Sequence, residues 1–275
     1  FIDTLELLKK NNIAYFGAGL TLNDALKPLF IEIKGLKFGF LGFRDKGSIW
    51  SDRNEVITPE INADLIIKCV KNLREHVDFI VLSLHFGWEY QLYPSPRDVR
   101  FCRKFIDEGV DIILGHHPHY PQGIERYNNG LISYSLGNFI WDQNFFGHTN
   151  SSYFLEIELT KKKIVSAKVT PFRLTSNYVL ELLRDIDSYK ELNSISSVLT
   201  DKGRLSEKWY FITRNKIIEM FMNLIRIVFK QKFQLHHFIK WLEILLHPHA
   251  RYTLRSFFFY VASGKAIKYE LNKRS

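Results

Sequence analysis

The chain has 275 residues, 46% of them hydrophobic, and a net charge of +9 at neutral pH. That is ample for a full core, with room for one large domain or for one domain and an extension. Two cysteines, Cys69 and Cys102, exclude a disulfide framework and read as core thiols, and no run approaches the roughly 18 apolar residues of a bilayer-spanning helix. The charge is unevenly placed. Residues 202–275 hold 15 Lys and Arg against 4 Asp and Glu, or +11, so the preceding 201 residues hold 23 against 25, or −2. Such asymmetry points to an acidic surface as partner, the plain alternative being a solvated helical face.

The chain opens on Phe1, inside an amphipathic pattern over residues 1–11 that predicts a helix ending near Asn11-Asn12. A start at Phe1 within a helix reads as a fragment or a processed chain. Ile13 to Phe16 is expected as a short strand running into Gly17-Ala18-Gly19, a plain turn more than a phosphate loop, since no further glycine falls at the fingerprint spacing. Residues 28–33 and 36–43 predict two strands around a Lys34-Gly35 hairpin turn. Arg44 to Glu55 is polar and irregular and could line a pocket. Thr58, followed by Pro59, predicts a helix start, with Ile61, Leu65, Ile66, Cys69, Val70 and Leu73 as its apolar face and an end near Glu75.

The next stretch carries the chemistry. Asp78 to Leu84 is a β-rich apolar run that ends in His85. Ser95 then serves as an N-cap with Pro96 at the first helical position and Asp98 in the acidic first turn. Val99, Cys102, Phe105 and Ile106 give this helix its apolar stripe, and Gly109 is the expected residue just past its end. Val110 to Leu114 is a second buried strand, running out into Gly115-His116-His117-Pro118-His119. Three of the ten histidines therefore fall within four positions. Strand, helix, strand at this spacing is a βαβ unit with parallel strands. Ligands of open α/β sheets bind outside the carboxyl ends of the strands, and imidazole is the commonest ligand of transition metals. If the two strands are neighbours, His85 and the His116–His119 cluster share one edge and one site. A histidine-rich surface loop is the alternative reading of the cluster.

Beyond His119, residues 123–127 and 131–136 flank Asn128-Asn129-Gly130, a hairpin signal. Gly137-Asn138-Phe139 breaks the second strand, and the Asn138 side chain could reach a metal or phosphate or simply suit a turn. Asp142 and His148 flank a loop over 143–151, and a further hairpin is expected over 153–159 and 164–172 around Lys161-Lys162-Lys163. From Thr175 the character changes. Residues 178–200 predict a helix, and residues 206–246 predict two aromatic, amphipathic helices, followed by a last helix over 252–263. This basic extension suits either an anionic membrane surface or packing on the domain, and it holds no nucleic-acid motif. His236, His237, His247 and His249 lack a strand-end context and read as surface or packing histidines.

Three stretches in order, Leu84-His85-Phe86-Gly87-Trp88-Glu89-Tyr90, Gly115-His116-His117-Pro118-His119 and Tyr134-Ser135-Leu136-Gly137-Asn138-Phe139, resemble consecutive motifs of the capsule-synthesis CapA-like family. The resemblance covers roughly residues 1–175 and leaves residues 176–275 as a separate basic, aromatic helical extension. It implies a metallophosphoesterase-like α/β sandwich, incomplete at its N-terminus, because family members carry an earlier segment with an aspartate, an Asn and an Asn-Asn-His-like motif. It also implies a role in capsule or poly-γ-glutamate production at the bacterial envelope or membrane. One or two divalent ions of the manganese, iron or zinc type would be held by His85, His119 and either His117 or His116, with Glu89 and Asn138 as further residues of the catalytic site. The family's carboxylate ligand would come from the earlier segment. The implied partner is a phosphorylated or polyanionic small molecule or polymer, and the other reading is a non-catalytic protein that binds such a polymer or an anionic membrane through residues 202–275.

Overall fold

A computed structural model of the chain describes residues 2–45, 57–141, 149–161, 163–183, 186–201, 203–213 and 215. The chain divides into two compact units, Phe1–Thr200 and Asp201–Ser275. Of the second, a helical run over 203–213 is described, capped by the Asp201 side chain, which accepts the Arg204 N–H at 3.0 Å. The other expected helices of the extension, its four histidines, Asp142, His148 and most of the loop after Arg44 lie outside the described residues.

The first unit is α/β, as the alternating pattern predicts, and opens with two helices, α1 (Ile2–Lys10) and α2 (Leu22–Ala25). Its larger sheet holds β1 (Leu29–Ile33), β2 (Leu36–Arg44), β3 (Phe79–His85), β4 (Ile112–His116), β5 (Ile124–Tyr127) and β6 (Gly130–Ser133), in the order β1-β2-β3-β4-β6-β5. The four central strands β2, β3, β4 and β6 are parallel, and the edge strands β1 and β5 join by antiparallel hairpins. The Lys34-Gly35 turn has φ of 52° and 77° at its two residues, the backbone a two-residue hairpin requires. A smaller antiparallel sheet holds β7 (Ser151–Thr160), β8 (Lys163–Leu174) and β9 (Leu180–Leu182).

Central strands buried on both faces read as continuous apolar runs, and β3 shows what lies on each side. Phe79 and Val81, with Phe38, Ile112 and Leu131, meet Ile164, Leu155, Ile157 and Leu159 of the smaller sheet. On the opposite face lie α3 (Ala63–Arg74) and α4 (Pro96–Asp107). Their stripes Ile66, Val70, Leu73 and Val99, Cys102, Phe105, Ile106 are buried as expected. A side chain at Gly39 or Gly130 would run into Leu73 and Ile106, so the helices lie directly on the strands there. Cys102 is fully buried, Cys69 is half-buried, and both are free thiols.

The helix α5 (Ile186–Leu199) closes the β5 edge. The Ser196 hydroxyl accepts the Ile124 N–H at 3.0 Å, and Arg103 of α4 donates to the Leu199 carbonyl at 2.8 Å while pairing through its guanidinium with the buried Glu125 of β5. Tyr134 donates its hydroxyl to the same carboxylate at 2.7 Å. Three elements thus share one buried ion pair whose remaining acceptor sites are filled.

Three expectations need correction. Ile13–Phe16 is not a strand: Ile13 is exposed, Gly17 turns the chain at a φ of 77°, and among the described residues the ladder contact nearby is a single bridge from Gly19 to Ile57. Thr58-Pro59 does not begin a helix. Pro59 and Ile61 bond the end of β2 through Arg44, which holds residues 57–61 extended, and Asn62 is the N-cap, accepting the Leu65 N–H at 3.0 Å. Residues 178–200 are not one helix. A turn at Tyr178, with φ of 59°, sets Leu180 opposite Leu174, and the open side of β8 recruits Leu180–Leu182 as β9 before α5 starts. A short apolar run fits both periods, and the available strand partner decides.

One position between β4 and the segment after β6 tolerates no side chain. A Cβ at Gly115 would overlap the Tyr134 carbonyl oxygen, whose backbone cannot move without breaking the ladder around it. Gly115→Ala is expected to cost about 3 kcal/mol or more, the range of severe buried overpacking and strain. Gly35→Ala, which meets no neighbour within 4 Å, should cost only about 1 kcal/mol for its positive φ. Urea-denaturation midpoints of the two variants check the contrast.

Candidate functional site

The parallel register puts Arg44, His85 and His116 in one row across the carboxyl ends of β2, β3 and β4. The condition posed by the sequence is met, since β3 and β4 are neighbours. Main-chain bonds then tie the three exits together. Asp45 donates to the His85 carbonyl at 2.8 Å, Phe86 to the His116 carbonyl at 3.0 Å, and Tyr90 to the Pro118 carbonyl at 2.8 Å. The loops that follow β3 and β4 are therefore bonded to each other along their length.

Within this frame the backbone is unusual. His117 has φ of 99°, His119 of 61° and Tyr90 of 57°, all left-handed and all non-glycine, beside Gly87 at 100° and Gly137 at 80°. Such conformations cost of order 1–3 kcal/mol each and cluster where a structure holds side chains for a purpose. Their effect here is to turn the histidines inward. The His117 ring lies 4.7 Å from the His85 ring and 6.3 Å from the His119 ring, centroid to centroid. Tyr90 stacks on His119 at 5.5 Å and Trp141 lies 6.1 Å from it.

His85, His117 and His119 are thus brought together, with His116 beside His85 in the strand register. Asn138 reaches the cluster as well: its Oδ1 lies 2.8 Å from His119 Nδ1. Glu89 is exposed, and its charge acts on the neighbouring Tyr90, whose hydroxyl is pushed up by burial and by Glu89. Sequence reasoning named Arg44 and Asp45 only within a loop that could line a pocket, and missed Tyr90 and Trp141 as neighbours of the rings. The signal for Arg44 was available, because it follows an apolar run that had to pair with β3.

One edge of His85 is open to solvent, yet burial of the rest of the ring lowers its pKa to about 4, with the nearby His117, His119 and Arg44 acting in the same direction and Asp45 against them. The half-buried His116 is also held below the ordinary value, by burial and then by His85. Both rings are therefore neutral at pH 7, the form that donates a lone pair. The donor chemistry suits a nitrogen-preferring divalent ion. Among the described residues, however, no three His, Cys, Asp or Glu side chains converge closely enough to hold one, so the cluster offers part of a coordination sphere.

The lowered values carry a sign. Between about pH 6.5 and 4 the unfolded chain binds protons at these histidines that the folded chain rejects, so stability falls as the pH drops through that window. Urea midpoints of the metal-stripped chain should decline from pH 7 to pH 5, and His85→Gln should flatten the decline. An unchanged slope in the variant would show that other groups cause it.

Comparison with known proteins places these residues in a family. The family model described as "Bacterial capsule synthesis protein PGA_cap" matches residues 1–143, just over half of the chain. The PGA biosynthesis protein CapA of Bacillus subtilis (strain 168) is 35% identical over 173 residues, 62% of this chain and 45% of that protein. The capsule biosynthesis protein CapA of Bacillus anthracis is 29% identical over 213 residues, 75% of this chain and 51% of that protein. The chain thus spans about half the length of these relatives. Among solved structures, a putative 5'-nucleotidase from Staphylococcus aureus in complex with alpha-ketoglutarate overlaps 62% of this chain and 34% of its own at a TM-score of 0.40 and 13% identity. That overlap is too loose to carry an argument about chemistry. On the match over residues 1–143, which contains His85 and the whole His116–His119 cluster, the chain belongs to the bacterial capsule synthesis protein family PGA_cap.

Proposed function

We propose that the chain serves capsule or poly-γ-glutamate biosynthesis as a divalent-metal-dependent hydrolase of phosphate esters, built on a metallophosphoesterase-type domain. The observation that carries this reading is the approach of the His117 ring to the His85 and His119 rings at the carboxyl edge of a parallel sheet. His85, His117 and His119, with His116 alongside, would supply part of the coordination sphere of an ion of the manganese, iron or zinc type. Bound there, such an ion polarises a phosphoryl oxygen and makes a nucleophile of water near neutral pH. The chain's own residues do the rest. Partial desolvation and the neighbouring His117, His119 and Arg44 favour the neutral form of His85, and burial favours that of His116. Arg44, tied by its Nε to the Thr58 hydroxyl at 2.6 Å, is a fixed cation at the end of the row and suits an anionic substrate. Tyr90 stacks on His119 and the exposed Trp141 lies beside it, so both line the site.

A second reading rests on the +11 carried by residues 202–275. In it the protein binds a polyanionic polymer or an anionic membrane surface without catalysis. Association through that charge would be electrostatic and weakened by salt.

Elemental analysis of the purified chain after removal of loose ions, together with hydrolysis of p-nitrophenyl phosphate, separates the two. The hydrolase reading predicts near-stoichiometric manganese, iron or zinc, and a fall of at least about 100-fold in both metal content and activity in His119→Ala. Metal-free protein that binds anionic vesicles in low salt, indifferent to His119→Ala, would favour the second reading.

A further inference from the structure

We infer that Asn138 is a positioning residue that fixes which nitrogen of His119 carries the proton. The inference deepens the metal reading above, but its first step stands on hydrogen-bond chemistry alone. The Asn138 amide has two ends, and both are engaged. Its Nδ2 donates to the Thr149 carbonyl at 3.0 Å, and its Oδ1 lies 2.8 Å from His119 Nδ1. A carbonyl oxygen only accepts, so the amide cannot be reversed without setting Oδ1 against the Thr149 oxygen. With Oδ1 committed to the His119 side, and itself only an acceptor, Nδ1 must be the donor. The neutral His119 ring therefore carries its proton on Nδ1 and its lone pair on Nε2. A histidine free in water prefers the opposite arrangement, with the proton on Nε2.

The parts around this pair are held. Gly137, at φ of 80°, turns the chain into Asn138, donates to the Ser135 hydroxyl at 3.2 Å and forms a bridge with Ser152. Thr149 is 2% exposed. On the other side, Tyr90 stacks on the His119 ring with 22° between planes. The ring is thus fixed in plane by an aromatic neighbour and in tautomer by an amide, which is how proteins orient an imidazole that is to act through its other nitrogen. Asn138 acts through His119, leaving Nε2 as the atom that would ligate a cation.

Long-range proton–nitrogen NMR of the full chain, labelled with ¹⁵N-histidine and freed of metal at pH 8, reads the tautomer directly. His119 is assigned by the signal lost in His119→Gln. The expected pattern is Nδ1–H with a lone-pair Nε2, and an Nε2–H pattern in the unmodified chain overturns the inference. Asn138→Leu removes the acceptor and should move His119 to the Nε2–H form, with zinc affinity by calorimetry falling about 10- to 100-fold. Asn138→Asp keeps an acceptor and should keep the Nδ1–H form, so a destabilised leucine variant does not leave the matter undecided. An Nδ1–H pattern that survives Asn138→Leu overturns the inference. If the unmodified chain shows Nδ1–H but takes up no zinc, the tautomer assignment stands and the metal reading fails.

Discussion

Everything at the candidate site depends on the pairing of β3 with β4. The two strands are parallel and in register from Val81 opposite Ile112 to His85 opposite His116. A parallel pair needs a crossover, and α4 supplies it between a well-formed N-cap at Ser95 and Gly109 at φ of 108°. Because both strands run the same way, both of their histidine-bearing exits leave from one edge. A slip of one residue would turn His85 to the opposite face of the sheet and dissolve the row it forms with Arg44 and His116. The dry interior of the strands guards against that slip. Ile80, Leu82, Leu84 and Ile113 are fully buried on one side, and Val81 and Ile112 nearly so on the other.

The frame is stable and the site on top of it is strained. Gly115 lets β4 approach the Tyr134 backbone so closely that no other residue fits, and within five residues the chain bends through two left-handed histidines. The energetic cost of His117, His119 and Tyr90 is carried by the core beneath them and by the main-chain bonds between the loops. What the strain achieves is spatial. In an ordinary extended exit, adjacent side chains would alternate in direction, and His117 would point away from His85. With φ of 99° it lies against it instead. Partial desolvation, with His117, His119 and Arg44 nearby, holds the exposed His85 low, and burial holds the half-buried His116 low, at the expense of stability in mild acid.

Much of this was legible in the sequence, and for physical reasons. The helix α4 carries complete punctuation, the Asn128-Asn129-Gly130 hairpin has turn chemistry with few alternatives, and the histidines sit at strand ends where topology alone brings them together. Less was legible where a segment is defined by its partner. Leu180–Leu182 became a strand because β8 had an open side, and residues 57–61 stayed extended because the end of β2 held them. The left-handed backbone of His117 had only Pro118 as a sign, and proline restricts its predecessor without selecting that basin. Asn138 was legible as a candidate, but its bond to His119 was not, since it depends on the Thr149 carbonyl meeting the other end of the amide. Arg44 and Asp45 were read only as part of an irregular stretch that could line a pocket, although the register that made His85 interesting also fixed what stood beside it.

The central claim is that imidazoles from the ends of two parallel strands share one divalent ion. X-ray absorption at the zinc edge of the zinc-loaded full chain tests it most directly. Histidine ligands give multiple scattering from the outer atoms of the imidazole ring, and the account predicts that signature with at least two histidines per ion. A shell of oxygen donors alone would contradict it, whatever activity the protein displayed.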